Sequence, residues 1–258
     1  MVVEKIDRKS PRDLVRRWQN FLLGQSFAPG IADGVFGQKT VDASADFQLT
    51  VGLTADGVVG PKTIAAAEAR GFHSDEESIV IVPSELVPLK NNSERAKAWG
   101  AFRYEAEPVL GNPEAIKILD GWVEKNIVYI EIPQLQKFAP NRKPLFPFHR
   151  WVAEGVKEMF TKWEAAGLIH HIKTWDGSWV PRFIRGSKSV LSNHAFGSAF
   201  DINARWNPLG AKPAPEGAEG SVVSLIKIAE ECGWFWGANF KTRVDSMHLE
   251  ATLSAKRK

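Results

Sequence analysis

The stretch SNHAFGSAFDIN, Ser192 to Asn203, decides how the second half of this chain is to be understood. It holds one histidine, His194, and an aspartate, Asp201, seven residues later. Gly197 allows the backbone to turn between them. Ala199, Phe200 and Ile202 then give Asp201 the setting of a strand. A buried strand with a polar entrance and half of a metal site are both open at this point.

The histidines narrow the choice. There are six in 258 residues. His73 lies in a polar, Pro-containing stretch, and His149 is expected at the start of a helix beside aromatics. His170 and His171 are adjacent on an expected strand, so they point to opposite faces and cannot readily share a ligand. These four read as surface or core histidines. His248 differs. It sits in DSMHLE with Asp245 three residues before it. His194, Asp201 and His248 together offer two imidazoles and a carboxylate, a donor set that suits tetrahedral Zn²⁺. Three protein ligands leave one position for water, whose pKa on zinc falls to about 7. A nearby carboxylate that is not a ligand can take the water's proton, and Asp245 is the candidate. This requires Asp245 to lie in a turn before the strand that carries His248, because within one strand the two would face opposite sides.

Around these residues the chain alternates helices and strands. NPEAIKILDGWVEKN reads as a helix with Ile116, Leu119 and Val123 on one face, followed by the β-branched strand IVYIEI. PFHRWVAEGVKEMFTKWEAAG reads as a longer helix with an apolar stripe of Val152, Val156, Met159, Phe160 and Trp163, and Gly167 just past its end. Asp176-Gly177, between LIHHIKTW and SWVPRFIRG, is a hairpin signal. A helix follows in SVVSLIKIAEECGW, and a last strand around SMHLEAT. Helices mixed with antiparallel strands imply an α+β domain with a small sheet and flanking helices. Nine of the ten tryptophans lie in this part.

The first part is different. DGVFGQKTV, Asp33 to Val41, recurs as DGVVGPKTI, Asp56 to Ile64, with six of nine positions identical. Each copy is an Asp-Gly turn, a second glycine and a helix start, and Pro61 suits the first turn of a helix. Upstream, Ser10 is the expected N-cap and Pro11 the first helical residue, with Leu14, Trp18, Phe21 and Leu22 at helical spacing. Three short helices result. The boundaries drawn are residues 1–72, a linker over 73–92 with one extended piece (Ile79 to Val82), and a second domain over 93–258.

Composition excludes several roles. Net charge is +3, with 24% charged residues and no Lys/Arg stripe, so a nucleic-acid partner is not expected. The C-terminal AKRK reads as a solvated tail. The single cysteine, Cys232, sits in an apolar helical run and reads as a buried thiol. The charged opening MVVEKIDRKSPRD has no apolar signal core, and no run approaches the roughly 18 apolar residues of a membrane helix. Synthesis in the cytoplasm, no membrane insertion and a monomer are expected.

Two resemblances add to this. VRRWQNFL, the doubled DGxxGxKT turn and DFQLTVGLTADGVVG between its copies resemble the three-helix peptidoglycan-binding domain of cell-wall hydrolases. That resemblance implies a wall partner and makes Asp33, Phe36, Thr40, Asp56 and Thr63 candidate wall-contact residues, although the aspartates also serve as turn formers. SNHAFGSAFD resembles the S-x-H-x-x-G-x-A-x-D pattern of zinc peptidases, namely the VanX/VanY-type D-alanyl-D-alanine peptidases and the L-alanyl-D-glutamate endopeptidases of phage lysins. All five fixed positions are present. DGSWVPRFIRG before it and GWFWGANFKTRVDSMHLE after it resemble the flanking motifs in the same order. The resemblance implies one Zn²⁺ held by His194, Asp201 and His248, with Asp245 as general base. An arginine, Arg182 in preference to Arg185, would stabilise the oxyanion, and Ser192 and Asn203 would support the ligands. Aspartate at 245, where the carboxypeptidases commonly carry glutamate, favours an endopeptidase. The whole resembles a phage endolysin, made without a signal peptide and released with the help of a holin. A D-alanyl-D-alanine carboxypeptidase and a non-catalytic wall-binding or phage structural protein are the alternatives.

Overall fold

The computed structural model describes residues 4–25, 27–70, 72 and 81–256. His73, the first half of the expected extended piece (Ile79 and Val80) and the last two residues of AKRK lie outside the described residues. The chain forms two compact units. One contains residues 1–81 with 203–223 and 238–247, the other residues 82–202 with 224–237 and 248–258.

The first unit is built on three helices: α1 (Arg12–Gly24), α2 (Gln38–Thr50) and α3 (Pro61–Glu68). The apolar stripe of α1 is buried as its spacing requires, and Trp18, Phe21, Phe47 and Phe72 form the centre of the core. The Trp18 indole packs edge-on against Phe47 and donates Nε1–H to Ser44 Oγ at 2.9 Å, which joins α1 to α2. Ser10 is not the N-cap. Pro11 directly precedes the helix, and Ser10 Oγ accepts the Asp7 amide at 3.0 Å instead, closing the turn before it.

The two Asp-Gly turns are fastened identically. Gln19 Nε2 donates to Asp33 Oδ1, the Val35 carbonyl and Thr40 Oγ1 at 3.0–3.1 Å, while its Oε1 accepts the Gly34 amide at 2.8 Å. Gln48 does the same to Asp56, Val58, Thr63 and Gly57 at 2.8–3.0 Å. Gly34 and Gly57 have φ of +79° and +68°, and a Cβ on either would sit 2.6 Å from its nearest neighbour atom. The sequence repeat is therefore a repeat of a turn locked by a buried glutamine from the preceding helix.

The second unit begins with α4 (Asn92–Trp99), N-capped by Asn91, whose side chain accepts the Glu94 amide. Strand β1 (Tyr104–Ala106) pairs antiparallel with β2 (Ile116–Ile118). The short helix α5 (Trp122–Asn126) leads into β3 (Ile127–Glu131), which pairs with β4 (Leu145–His149). Helix α6 (Ala153–Ala165) is followed by β5 (Trp175–Gly177), β6 (Ala199–Ile202), α7 (Val223–Glu231), β7 (Trp234–Trp236) and β8 (His248–Ala251). The last four strands form one antiparallel sheet in the order β5-β6-β8-β7. This is the α+β domain with a small antiparallel sheet, after a three-helix domain, that the pattern implies.

Several local expectations fail. Residues 112–126 are not one helix. Ile116 is buried and Lys117 exposed, a strand alternation satisfied by β1, and Gly121 at φ +67° interrupts the chain before α5. Phe146 and Phe148 belong to β4, so the long helix starts only at Ala153; its stripe is as expected and Gly167 closes it at φ +71°. Asp176-Gly177 is no hairpin turn. Both residues lie in β5, which pairs with β6 across a register irregularity that Gly177, at φ +119°, accommodates. His170 and His171 sit in a 3₁₀ turn with their rings 4.1 Å apart, not on opposite faces of a strand. Nor is Lys256 a solvated tail residue: its ammonium lies 3.8 Å over the Trp151 ring and donates to the Ala98 carbonyl. Cys232 is buried, as expected.

Strand alternation sets the site on β6. Phe200 and Ile202 face the core, and Phe200 is ringed by Phe148, Trp175 (stacked, 5.5 Å) and Trp234. Ala199 and Asp201 therefore face the other way.

Candidate metal centre

His194 rides on a single 3₁₀ turn, Asn193–Phe196. Ser192 caps it by accepting the His194 amide, and Gly197 closes it at φ +65°. A Cβ at Gly197 would lie 2.7 Å from Ile127 Cδ1 and 2.8 Å from the His149 amide nitrogen. Turn and strand are thus held together by packing that only glycine permits.

The register of the sheet completes the set. Asp201 on β6 stands directly opposite His248 on β8, and Ala199 opposite Glu250. The ligand-type atoms of His194, Asp201 and His248 lie within 4.8 Å of one another. His194 Nε2 is 3.2 Å from Asp201 Oδ1 and 3.1 Å from His248 Nδ1, and His248 Nδ1 is 2.9 Å from Asp201 Oδ1. All three side chains are largely or fully buried.

Hydrogen bonding on the far side of each ring bears on what lies between them. His194 Nδ1 is 2.7 Å from the Ser178 carbonyl, which can only accept, so Nδ1 carries the proton. His248 Nε2 faces Glu250 Oε2 at 3.1 Å. Burial pushes the His194 pKa below its ordinary value, against the pull of Asp201, which keeps the ring neutral. Burial would raise the Asp201 carboxyl, but the two imidazoles outweigh it and hold it well below the usual carboxylate range. The His194 Nε2 lone pair and the Asp201 carboxylate then face one point as acceptors, with His248 Nδ1 on the same side. Such a point fits a cation, and the N,N,O set fits zinc.

The other expected site residues distribute as follows. Arg182 is half-buried, its Nη1 donates to the Phe183 carbonyl at 3.1 Å, and its charge is felt by His194, whose protonated form it disfavours. Arg185 is engaged by Glu114 in an ion pair of 3.0 Å. Asp245 precedes the Ser246–Met247 turn, and β8 begins only at His248, so the two are not on one strand. Asp245 belongs to segment 238–247 of the first unit. Asn203 adopts φ +56°, and its Nδ2 donates to the Gly220 carbonyl at 2.9 Å within segment 203–223. In the helical unit, Phe36, Thr40 and Thr63 are buried, with both hydroxyls bonded to the glutamine latches, while Asp33 and Asp56 are exposed.

Two supporting residues escaped the sequence reading, Ser178 and Glu250. Ser178 acts through its carbonyl and leaves no side-chain signature. Glu250 had one: it stands at i+2 from His248 in a strand and so shares its face.

Residues 11–67 match the family model of a peptidoglycan binding domain, and residues 185–251 match that of the D-alanyl-D-alanine carboxypeptidases. The chain joins a peptidoglycan-binding module to a peptidase domain of that type. The second match spans the closing motif and all three metal-type residues but begins only at the end of DGSWVPRFIRG, and it supports a peptidase acting on peptidoglycan. No curated protein matches the chain. Among the described residues no helix is long and apolar enough to cross a membrane.

Proposed function

We propose that the chain is a zinc-dependent cell-wall peptidase that cuts the stem peptide as an L-alanyl-D-glutamate endopeptidase, in the manner of a phage endolysin. The convergence of three ligand-type side chains, His194, Asp201 and His248, on one point carries the metal part of this reading. Held there, zinc would supply a Lewis acid and bring the pKa of a water down to about 7, so that a nucleophile is at hand at neutral pH. Asp245 takes the proton of the attacking water and returns it to the leaving amine. Arg182 meets the scissile carbonyl oxygen as negative charge develops, whereas Arg185 is held by Glu114. The helical module keeps the enzyme at the wall and so raises its local concentration there. Wall contact falls to its exposed surface, Asp33 and Asp56 included.

The endopeptidase choice rests on aspartate at 245. The matched family's own description favours a second reading, removal of a terminal D-alanine. Purified peptidoglycan digested with the full chain and analysed by mass spectrometry separates them. A new amino terminus on D-glutamate is the expected result. Release of free D-alanine establishes the carboxypeptidase, and new glycan ends overturn the peptidase altogether. Dialysis against 1,10-phenanthroline is expected to abolish cleavage and added zinc to restore it.

A further inference from the structure

On the side of His248 away from the candidate metal point lies a buried polar chain to which the proposed chemistry assigns no part. Glu250 is 3% exposed, yet it is a carboxylate. Its Oε2 faces His248 Nε2 at 3.1 Å and accepts Asn193 Nδ2–H at 2.6 Å. Asn193 Oδ1 in turn accepts Nε–H of Arg95 at 3.2 Å. Arg95 stands on α4 and is itself 7% exposed, and its charge is countered by that of Glu250. Burying two opposite charges that are joined only through an amide is costly, and apolar residues of the same size commonly serve stability as well or better. Their retention calls for another explanation.

We propose that Glu250, held by Asn193 and Arg95, is a positioning residue for the metal site: it keeps the His248 proton on Nε2 and the ring turned so that Nδ1 presents its lone pair beside Asp201 and His194. The geometry limits the alternatives. His248 Nδ1 lies 2.9 Å from Asp201, so with a carboxylate on only that side the ring would carry its proton on Nδ1 and offer no lone pair there. A second carboxylate at Nε2 gives the ring an acceptor for its proton on that side, so that Nδ1 is free to turn its lone pair to a cation. Asn193 has a double part, because it also opens the 3₁₀ turn that carries His194. One side chain thus touches the supports of two metal-type residues. Ala199, across from Glu250 in the β6–β8 ladder, leaves room for the carboxylate.

This inference rests on the metal reading above, and the test separates the two. Zinc affinity of the full-length protein is measured by competition with a chromophoric chelator, and Co²⁺ absorption reports the ligand geometry. Glu250→Ala is expected to weaken zinc binding about 10–100-fold, the range found when such outer carboxylates are removed, and to alter the Co²⁺ spectrum. Glu250→Gln, whose amide oxygen can still accept from Nε2–H, is expected to recover part of that loss. Asn193→Ala loosens the same carboxylate without deleting it and is expected to weaken binding less than Glu250→Ala. A residue that served only folding would change the urea midpoint of the metal-free protein but leave the affinity of the folded protein unmoved. The proposal is overturned if Asn193→Ala and whichever Glu250 variants fold bind zinc within twofold of the parent. If His194→Ala also binds zinc like the parent, it is the metal site that fails, not the role of Glu250.

Discussion

His149 shows how one residue couples the site's scaffold to pH. It ends β4, is fully buried, and its amide donates to the Gly197 carbonyl at 2.8 Å, so it braces the turn that carries His194. Its Nε2 donates to the Trp99 carbonyl at 2.9 Å and its Nδ1 accepts the Trp151 amide at 3.2 Å, a pattern that only the neutral ring satisfies. Burial pushes its pKa down to about 4 from 6.5. The unfolded chain therefore takes up this proton at a higher pH than the folded one. The stability contributed by His149 is complete above about pH 6.5 and is lost as pH falls toward 4. Urea midpoints recorded between pH 7 and pH 4 are expected to fall, and the fall to be shallower in His149→Gln. An identical slope in the variant would assign the pH dependence to other groups. Nothing in PFHRW announces this role. A histidine beside aromatics is visible in sequence, but its two backbone partners come from elements 50 residues upstream and two residues downstream.

At the scale of elements, what could be read in advance depended on where the stabilising partner lies. Helices α1, α2, α3 and α6 carry their own apolar periodicity and were legible. So were β6 and β8, whose alternation puts Phe200 and Leu249 on one face and Asp201 and His248 on the other. The failures are segments whose state is chosen by a distant strand. Ile116–Ile118 has residues compatible with a helix but pairs with β1, and Asp176-Gly177 has turn chemistry but is drawn into the sheet by β6. Tertiary pairing outweighs local preferences of a few tenths of a kcal/mol per residue. The repeat was legible as a turn, but its latch was not. Gln19 and Gln48 sit 14 and 8 residues ahead of the aspartates they grip, so they fall outside the repeated nine. Each buried amide serves four partners, and Gln19→Ala and Gln48→Ala are each expected to cost about 1–3 kcal/mol, because the groups left behind stay buried without a donor or acceptor. Denaturant titration of the two variants checks this; losses below about 0.5 kcal/mol would show that water replaces the amide freely.

At the scale of the whole chain, the wall-binding module is more than a separable tether. Residues 203–223 and 238–247, drawn from the peptidase half, belong to the same compact unit as the N-terminal helices. Sequence boundaries at residues 72 and 93 did not foresee this, because loops without periodicity carry no mark of the body they join. A chain lacking residues 1–81 is expected to unfold at a lower urea concentration than the peptidase transition of the intact protein. An unchanged midpoint would mean that the helical module leaves no energetic trace beyond itself. The cross-strand pair Asp201–His248 has a consequence of another kind. In a ladder with a two-residue period, a slip of β8 by one position sends His248 into the core and brings Leu249 to face Asp201. A misaligned sheet therefore has no ligand set at all. On the proposed reading, uptake of a metal ion would act as a proofreading step, retaining the one strand alignment that assembles the ligands.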